Sequence, residues 1–500
     1  MPHTALRFRN VTFAHAHAAA PLLQDLTLHL DCGWTGVVGP NGVGKTTLLR
    51  LAVGELEPAS GQVLRPEPAL CCPQRTDDPP HGLADLLAAL DGDAFRLRDR
   101  LGVEDDWLDR WPTLSHGERK RAQVAVALWR EPLVLALDEP TNHLDRGARA
   151  MLRDALTAYR GVGLLVSHDR ELLDDLCARC LFLDEGGAVL RPGGYGEGAV
   201  QAAQDAETAV QQRTKAKREL ADLTREAGRR RDEAQQADGK RSKRGLARKD
   251  SDGRAAIDAA RVSGKDGAAG RRLDQLSGRL AQAQQRLDQA RVTKTYATGI
   301  WMAGAVSSRN TLLDVAAADL DLGGRTLHVP PLTLRPTDRV ALTGPNGGGK
   351  STLLARLRPA VALPPERVVW VPQEIPLAES RTVLARARAL PHDELGRVLT
   401  VVSRLGSRPE RLLETDAPSP GEVRKILLAL GIAAEPHLIV MDEPTNHLDL
   451  VSIECLEAAL ADCPCALLLV SHDRRFLEAL TTTAWRIEPD GGGMRLSVES

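Results

Sequence analysis

The sequence repeats itself. Lys45, Ser115, Asp138, Asp145 and His168 recur as Lys350, Ser419, Asp442, Asp449 and His472 at a near-constant offset of 304 or 305 residues. Any fold that satisfies the first copy must therefore be built twice in one chain. At roughly 100 to 200 residues per domain, a chain of this length has room for two copies and an insert. The repeat sets the expected boundaries at 1–196 for the first domain, 197–299 for the insert and 300–500 for the second domain. Each copy opens with a β-rich stretch and a glycine-rich loop running into an apolar helix. Later it passes from a buried apolar strand into an acidic pair, so the expected class is α/β.

Charge separates the insert from the copies. The chain has 65 Lys and Arg against 67 Asp and Glu, a net of −2, yet residues 201–300 carry 23 basic and 14 acidic residues. That block is +9 and the remaining 400 residues are −11, which localises any polyanionic partner to the insert. Aromatic residues make up only 3% of the chain, too few for a row of base-stacking platforms, so charge and shape must do that work. Apolar runs such as Leu133–Leu137 and Ala466–Val470 are five residues long, against about 20 for a membrane helix, so no membrane insertion is expected. Met1–Asn10 has no apolar signal core and the following stretch is broken by His15, His17 and Pro21, which predicts a cytoplasmic protein. The eight cysteines include Cys177-x-x-Cys180 and Cys463-Pro-Cys465 without a second knuckle, and are expected to be free thiols.

Within the insert, residues 197–237 contain no proline and space Ala206, Ala209, Ala216, Leu220, Leu223 and Ala227 in heptad fashion, with Arg213 and Arg230 interrupting. A second run places Leu273, Leu276, Leu280, Ala283, Leu287 and Ala290 on a three-four spacing. Two helices paired as an antiparallel hairpin are predicted. Between them Gly239–Gly270, with Lys240, Arg241, Lys243, Arg244, Arg248 and Lys249, has the composition of a mobile basic tip or of a solvated linker.

The chemistry lies in the copies. Gly39-Pro40-Asn41-Gly42-Val-Gly44-Lys45-Thr46-Thr47 and Gly344-Pro345-Asn346-Gly347-Gly-Gly349-Lys350-Ser351-Thr352 both fit the P-loop pattern, each between a strand (Gly36–Val38, Val340–Leu342) and a helix (Leu48–Leu51, Leu353–Leu357). Glycines let backbone N–H groups wrap phosphates at a helix N-terminus, Lys45 and Lys350 reach β and γ oxygens, and Thr46 and Ser351 can ligate Mg²⁺. Apolar strands end in Asp138-Glu139 and Asp442-Glu443, at the strand edge where ligands gather in open α/β sheets. Asp138 and Asp442 suit Mg²⁺. Glu139 and Glu443 are then placed to orient or deprotonate water, while His168 and His472, each in Val-Ser-His-Asp-Arg, can contact the γ-phosphate or that water. Gln74 and Gln373, each after a proline, sit where a loop can sense metal or water.

Leu114-Ser115-His-Gly117-Glu118-Arg-Lys120 now resembles the ATP-binding cassette signature, and Glu-Pro-Thr-Asn-His-Leu-Asp occurs at both 139–145 and 443–449. With two cassettes, a charged interdomain hairpin and no membrane span, the chain resembles the ABC-F family over nearly its whole length. The resemblance implies two P-loop ATP-binding cassette domains joined by a helical-hairpin linker, in a cytoplasmic, Mg²⁺-dependent ATPase that binds the E site of the 70S ribosome. The hairpin would reach toward P-site tRNA, rRNA and the peptidyl transferase centre. It further implies that one monomer sandwiches two ATPs between its cassettes. Ser115, Gly117 and Glu118 would complete the site of Lys350, Gln373, Asp442, Glu443 and His472. Ser419, Gly421 and Glu422 would complete that of Lys45, Gln74, Asp138, Glu139 and His168. Ser-x-x-Glu is also a capping box that leaves an electropositive helix N-terminus for phosphate.

The match departs from the family in two places. Pro418-Ser419-Pro420-Gly421-Glu422 puts prolines where the family has Leu and Gly; Pro420 suits a first helical turn but removes an N–H donor, which weakens the first site. Phe13 lies where the family has an adenine-stacking aromatic, whereas Val315–Leu322 has none, so aliphatic packing is expected there. The spacings Gln74–Ser115 and Gln373–Ser419, 41 and 46 residues, leave no extra arm, and only 28 residues follow His472. That tilts the reading toward ribosome protection and antibiotic resistance over a housekeeping translation factor. A transporter ATPase or a DNA-handling ATPase would share the phosphate chemistry.

Overall fold

A computed structural model describes residues 5–16, 20–142, 144–184, 187–240, 266–289, 304–405, 420–446 and 448–499. The fold divides into two compact units, one of Met1–Gly198 with Tyr296–Ser500 and one of Ala199–Thr295.

In the first half of the larger unit, the strands are β1 (Ala5–Phe13), β2 (Leu23–Asp31), β3 (Gly33–Val38), β4 (Ser60–Leu64), β5 (Ala69–Cys72), β6 (Val134–Asp138), β7 (Val162–Val166), β8 (Cys177–Asp184) and β9 (Gly187–Pro192). The helices are α1 (Lys45–Val53), α2 (Leu83–Ala88), α3 (Gly92–Leu101), α4 (His116–Trp129), α5 (Arg146–Thr157) and α6 (Arg170–Leu176). β1 lies between β2 and β4 in an antiparallel sheet, and Leu26, Leu28 and Leu30 alternate inward from β2. The second sheet has the order β5-β6-β7-β3-β8-β9 and is parallel except for β9. β6 and β7 are buried along their full length, as strands covered on both faces must be.

The second half repeats this plan with an altered edge. It runs through β10 (Leu313–Val315), β11 (Ala318–Asp321), β12 (Thr326–Val329), β13 (Leu332–Leu334), β14 (Arg339–Thr343), β15 (Val368–Val371), β16 (Leu438–Asp442), β17 (Ala466–Val470), β18 (Thr483–Asp490) and β19 (Gly493–Glu499). Its sheet has the order β15-β16-β17-β14-β18-β19-β12-β11, so the outer hairpin joins the main sheet through β12 and β19. In each half the P-loop strand, the His strand and the Asp-Glu strand are parallel neighbours (β3-β7-β6 and β14-β17-β16). Their carboxyl ends therefore open on one edge, where phosphate-binding loops converge.

α7 (Tyr195–Lys240), whose first four residues belong to the larger unit, and α8 (Asp266–Gln289) form the smaller unit and pack antiparallel through buried Leu223, Ala227, Leu276 and Ala283, with Leu220 and Leu280 beside them. Arg286 bonds Glu219 at 3.3 Å across the pair. The helices extend further than composition suggested. Lys240 ends α7 and Asp266 begins α8, so Gly239 and Asp266–Gly270 are helical rather than loop. Their glycines are tolerated at a cost of about 1 kcal/mol each. The tip cations Arg241, Lys243, Arg244, Arg248 and Lys249, and Ala290, lie outside the described residues. No helix among the described residues is long and apolar enough to cross a membrane. All eight cysteines are free thiols.

β7 holds the P-loop strand by unusually close contact. A Cβ on Gly163 would lie 2.3 Å from the ring of Trp34, a buried side chain whose Nε1 donates to the Leu156 carbonyl at 3.0 Å. A Cβ on Gly92 would meet nothing within 4 Å. Gly163→Ala should therefore destabilise the protein by about 1–3 kcal/mol through overpacking, whereas Gly92→Ala should be neutral or slightly stabilising. Denaturant melts of the two variants check this, and equal midpoints would contradict the packing described.

Candidate functional site

Each P-loop ends in a left-handed glycine that begins a helix without a side-chain cap: Gly44 before α1 and Gly349 before α9 (Lys350–Leu357), with φ of 107° and 96°. Only glycine adopts this geometry without strain, and it leaves the first helical N–H groups facing the cleft. Lys45 Nζ donates to the carbonyls of Gly39 (2.7 Å) and Pro40 (3.1 Å), and Lys350 Nζ to those of Gly344 (2.9 Å) and Pro345 (3.1 Å). Burial lowers the pKa of both amines against the pull of nearby carboxylates, which for Lys45 include Glu139, Asp449 and Asp138.

Beside each lysine a hydroxyl and a carboxylate form a matched pair. Thr46 Oγ1 donates to Asp138 Oδ2 at 2.7 Å, and Ser351 Oγ to Asp442 Oδ2 at 3.1 Å. Burial raises both aspartates, and it raises Glu139 to about 8 and Glu443 to about 7. A site that keeps acidic groups this desolvated beside a paired hydroxyl and carboxylate has the oxygen ligands to hold a hard divalent cation shared with a phosphate. Among the described residues no group of three or more His, Cys, Asp or Glu could form a cage made of protein alone.

Glu139 and Glu443 leave their strands with φ of 47° and 50°, a left-handed conformation strained for glutamate. Their N–H groups are tied to the adjacent strand, at Val166 O (2.9 Å) and Val470 O (2.8 Å). Glu139 Oε1 lies 3.0 Å from His168 Nε2, and its Oε2 accepts from the His168 N–H at 3.3 Å. Glu443 repeats the arrangement with His472 at 3.4 and 3.3 Å. Burial, with Lys350 and Arg149, lowers His472 to about 3, so its imidazole is neutral and can donate or accept.

The halves complete each other's clefts. One cleft, of about 480 Å³, is lined by Asn41, Gly42, Gly44, Lys45, Thr46 and Thr47, by Gln74, Asp138, Glu139 and His168, and by Gly421 of the other half. Its counterpart, of about 580 Å³, is lined by Pro345, Asn346, Gly347, Gly349, Lys350, Ser351 and Thr352, and by Gln373, Asp442, Glu443 and His472. Ser115, Gly117 and Arg149 reach it from the first half. Ser115 caps α4, accepting from the Glu118 N–H at 3.2 Å while Glu118 Oε2 accepts from the Ser115 N–H at 2.8 Å. Glu118 and Glu422 do not line either cleft. Pro420 opens the helix α12 (Pro420–Ala433), after α10 (Leu377–Arg388) and α11 (His392–Arg404), and Ser419 lies outside the described residues.

Direct bonds join the halves. Asn41 N–H donates to Asp449 Oδ2 at 2.9 Å, and Asn346 N–H to Asp145 Oδ2 at 3.4 Å. Arg170, buried, pairs with Glu457 (2.8 Å) and Asp473 (3.3 Å), and Arg475 with Asp174 (2.7 Å). Tyr195, the first residue of α7, donates to Glu454 at 2.6 Å.

Phe13 does not stand where the sequence placed it. β1 pairs Phe13 with Leu23, and the alternation of the strand turns its ring into the core. His15, edge-on to Phe13 at 5.1 Å, lines the cleft instead, together with Leu22. On the other side Asp321 and Leu322 line the cleft. The sequence reading missed His15, Asn142, Asn446 and Arg149; only a position-by-position comparison of the repeats could have drawn attention to Arg149.

A family model described as "ABC transporter" matches residues 23–142 and again 327–446. The Tylosin resistance ATP-binding protein TlrC of Streptomyces fradiae is 31% identical over 92% of this chain and 93% of its own. The Ribosome protection protein VmlR of Bacillus subtilis (strain 168) is 29% identical over 91% of this chain and 82% of its own. A crystal structure of archaeal ribosome recycling factor aABCE1 in complex with ribosomal stalk protein aP1 shares the fold, with TM-score 0.61 at 18% identity over 97% of this chain and 89% of that one. Two matched cassettes in one chain, and a 31% identical relative spanning almost the full length of both proteins, place this chain in the ABC-F family of tandem ATP-binding cassette ATPases.

Proposed function

We propose that each cleft binds one ATP between a P-loop and the opposite cassette's signature helix, and hydrolyses it. One observation supports this above the rest: each cleft pairs one cassette's P-loop, Asp-Glu and His residues with a signature residue of the other, Gly421 in one and Ser115 and Gly117 in the other. Backbone N–H groups of the P-loop and the lysine amine cradle the phosphates. A Mg²⁺ ion held by Thr46 and Asp138, or by Ser351 and Asp442, with Gln74 or Gln373 nearby, would neutralise charge on the β and γ oxygens. Glu139 and Glu443 orient the attacking water and take its proton, which their burial favours, and His168 and His472 hold those carboxylates in place. The partner we assign is the 70S ribosome in the cytoplasm, bound at the E site by a monomer, with the basic linker meeting rRNA and P-site tRNA. The names of TlrC and VmlR support ribosome protection against an antibiotic as the outcome.

Three outcomes follow. Glu139→Gln with Glu443→Gln should retain ATP binding and lose steady-state hydrolysis by about 100-fold or more, because positioning survives while water activation fails. Unchanged turnover would remove both glutamates from the mechanism. Glu443→Gln alone should cost more turnover than Glu139→Gln alone, since Pro420 deprives the first cleft of an N–H donor; equal losses would make Pro420 merely a helix start. Replacing 238–270 with a neutral Gly/Ser loop should leave basal ATPase within about twofold while abolishing rescue of drug-inhibited translation, the phosphate contacts having been removed. Full rescue by that variant would refute the linker's role.

A further inference from the structure

Helix α5 is capped by Asp145 and carries Arg149 one turn further on. Arg149 Nε donates to the Leu144 carbonyl at 3.2 Å, and its Nη1 lies 3.2 Å from both Asp169 Oδ2 and the His472 carbonyl. The guanidinium is therefore fixed between two turns, the one that follows His168 in its own cassette and the one that carries His472 in the other. Its side chain is 21% exposed and that of Asp169 10%, so these bonds are shielded from water and specific in direction. Arg149 also lines the second cleft, beside Glu443.

The repeat makes the position informative. Asp145 corresponds to Asp449, and each reaches the opposite P-loop amide. Arg149 corresponds to Ile453, which is 1% exposed within the core of the second cassette. Isoleucine has no donor to offer the His168 turn, so this contact serves one cleft only. From a single helical turn the first cassette holds the Asn346 amide and the His472 carbonyl, and His472 Nε2 itself lies 3.2 Å from Asn346 Oδ1.

We propose that Arg149 is a positioning residue supplied in trans to the second cleft: by holding the His472 turn it sets the histidine and Glu443 for hydrolysis only when the cassettes are closed. The inference rests on the ATP reading above. Because its bonds go to protein groups, its loss falls on turnover more than on ATP affinity. The first cleft, with Ile453 in that place, has no such dependence.

The test uses the full chain with 8-azido-ATP and vanadate, which traps nucleotide only in a site that has turned over. The chain is photolabelled and then cut by protease in the linker, and label is counted in each cassette. Arg149→Ile should lower trapping in the second cassette about tenfold, leave the first within about twofold, and change the KM for ATP less than about threefold. Arg149→Lys, which keeps a donor and the charge, should show a smaller loss confined to the second cassette, and it carries the comparison if the isoleucine variant melts early. Equal losses in both cassettes would make Arg149 an interface clasp and overturn the proposal, as would no loss in either. Wild-type protein trapping no nucleotide in either cassette would instead count against the ATP reading.

Discussion

Two carboxylates hold this architecture in register. Asp145 and Asp449 each cap a helix of their own cassette, α5 and α13 (Leu450–Ala461), with one oxygen, and accept from the P-loop of the opposite cassette with the other. Burial alone would raise both groups, yet backbone N–H bonds, with Lys425 acting on Asp449, hold them below the ordinary carboxylate range. They therefore stay charged at neutral pH, and hydrogen bonds to a charged acceptor are worth about 1.5–3 kcal/mol. Each P-loop thus gives one backbone N–H to a carboxylate of the opposite cassette.

The remaining contacts between the halves follow from that reciprocity but do not share its symmetry. Arg170 is clasped by Glu457 and Asp473, whereas its repeat equivalent Arg474, at the start of α14 (Arg474–Leu480), bonds Glu478 within its own helix. Tyr195 donates to Glu454, five residues beyond Asp449, so the helix that caps against the first P-loop also meets the start of α7. A duplicated pair can thus build two similar pockets while surrounding them with different levers. The second half's sheet differs as well, with its outer hairpin fused to the main sheet.

The chemical core was legible because it depends on short spacings. A P-loop, an Asp-Glu pair at the end of an apolar strand and a Ser-His-Asp turn each specify local backbone, and repetition at one offset removed chance as an explanation. The hairpin was legible from its three-four apolar spacing, and Leu223, Ala227, Leu276 and Ala283 are indeed its buried seam. Phe13 misled because alternation along β1 decides which face a side chain takes, and a family position does not. The ends of α7 and α8 were missed because glycine propensity is weak against helix continuity. Arg149 stands out in the sequence only as a difference between the repeats, and its meaning depends on a turn more than 300 residues away, which only tertiary structure brings within 3.2 Å.

In the proposed function, two composite clefts each enclose one ATP between the cassettes. Nucleotide retained by the Glu139→Gln, Glu443→Gln chain after rapid gel filtration tests it most directly. Two ATP per chain are expected, falling to about one when Ser115→Arg fills the signature edge of the second cleft. Retention of two ATP despite Ser115→Arg, or equal retention by an isolated first cassette, would contradict it.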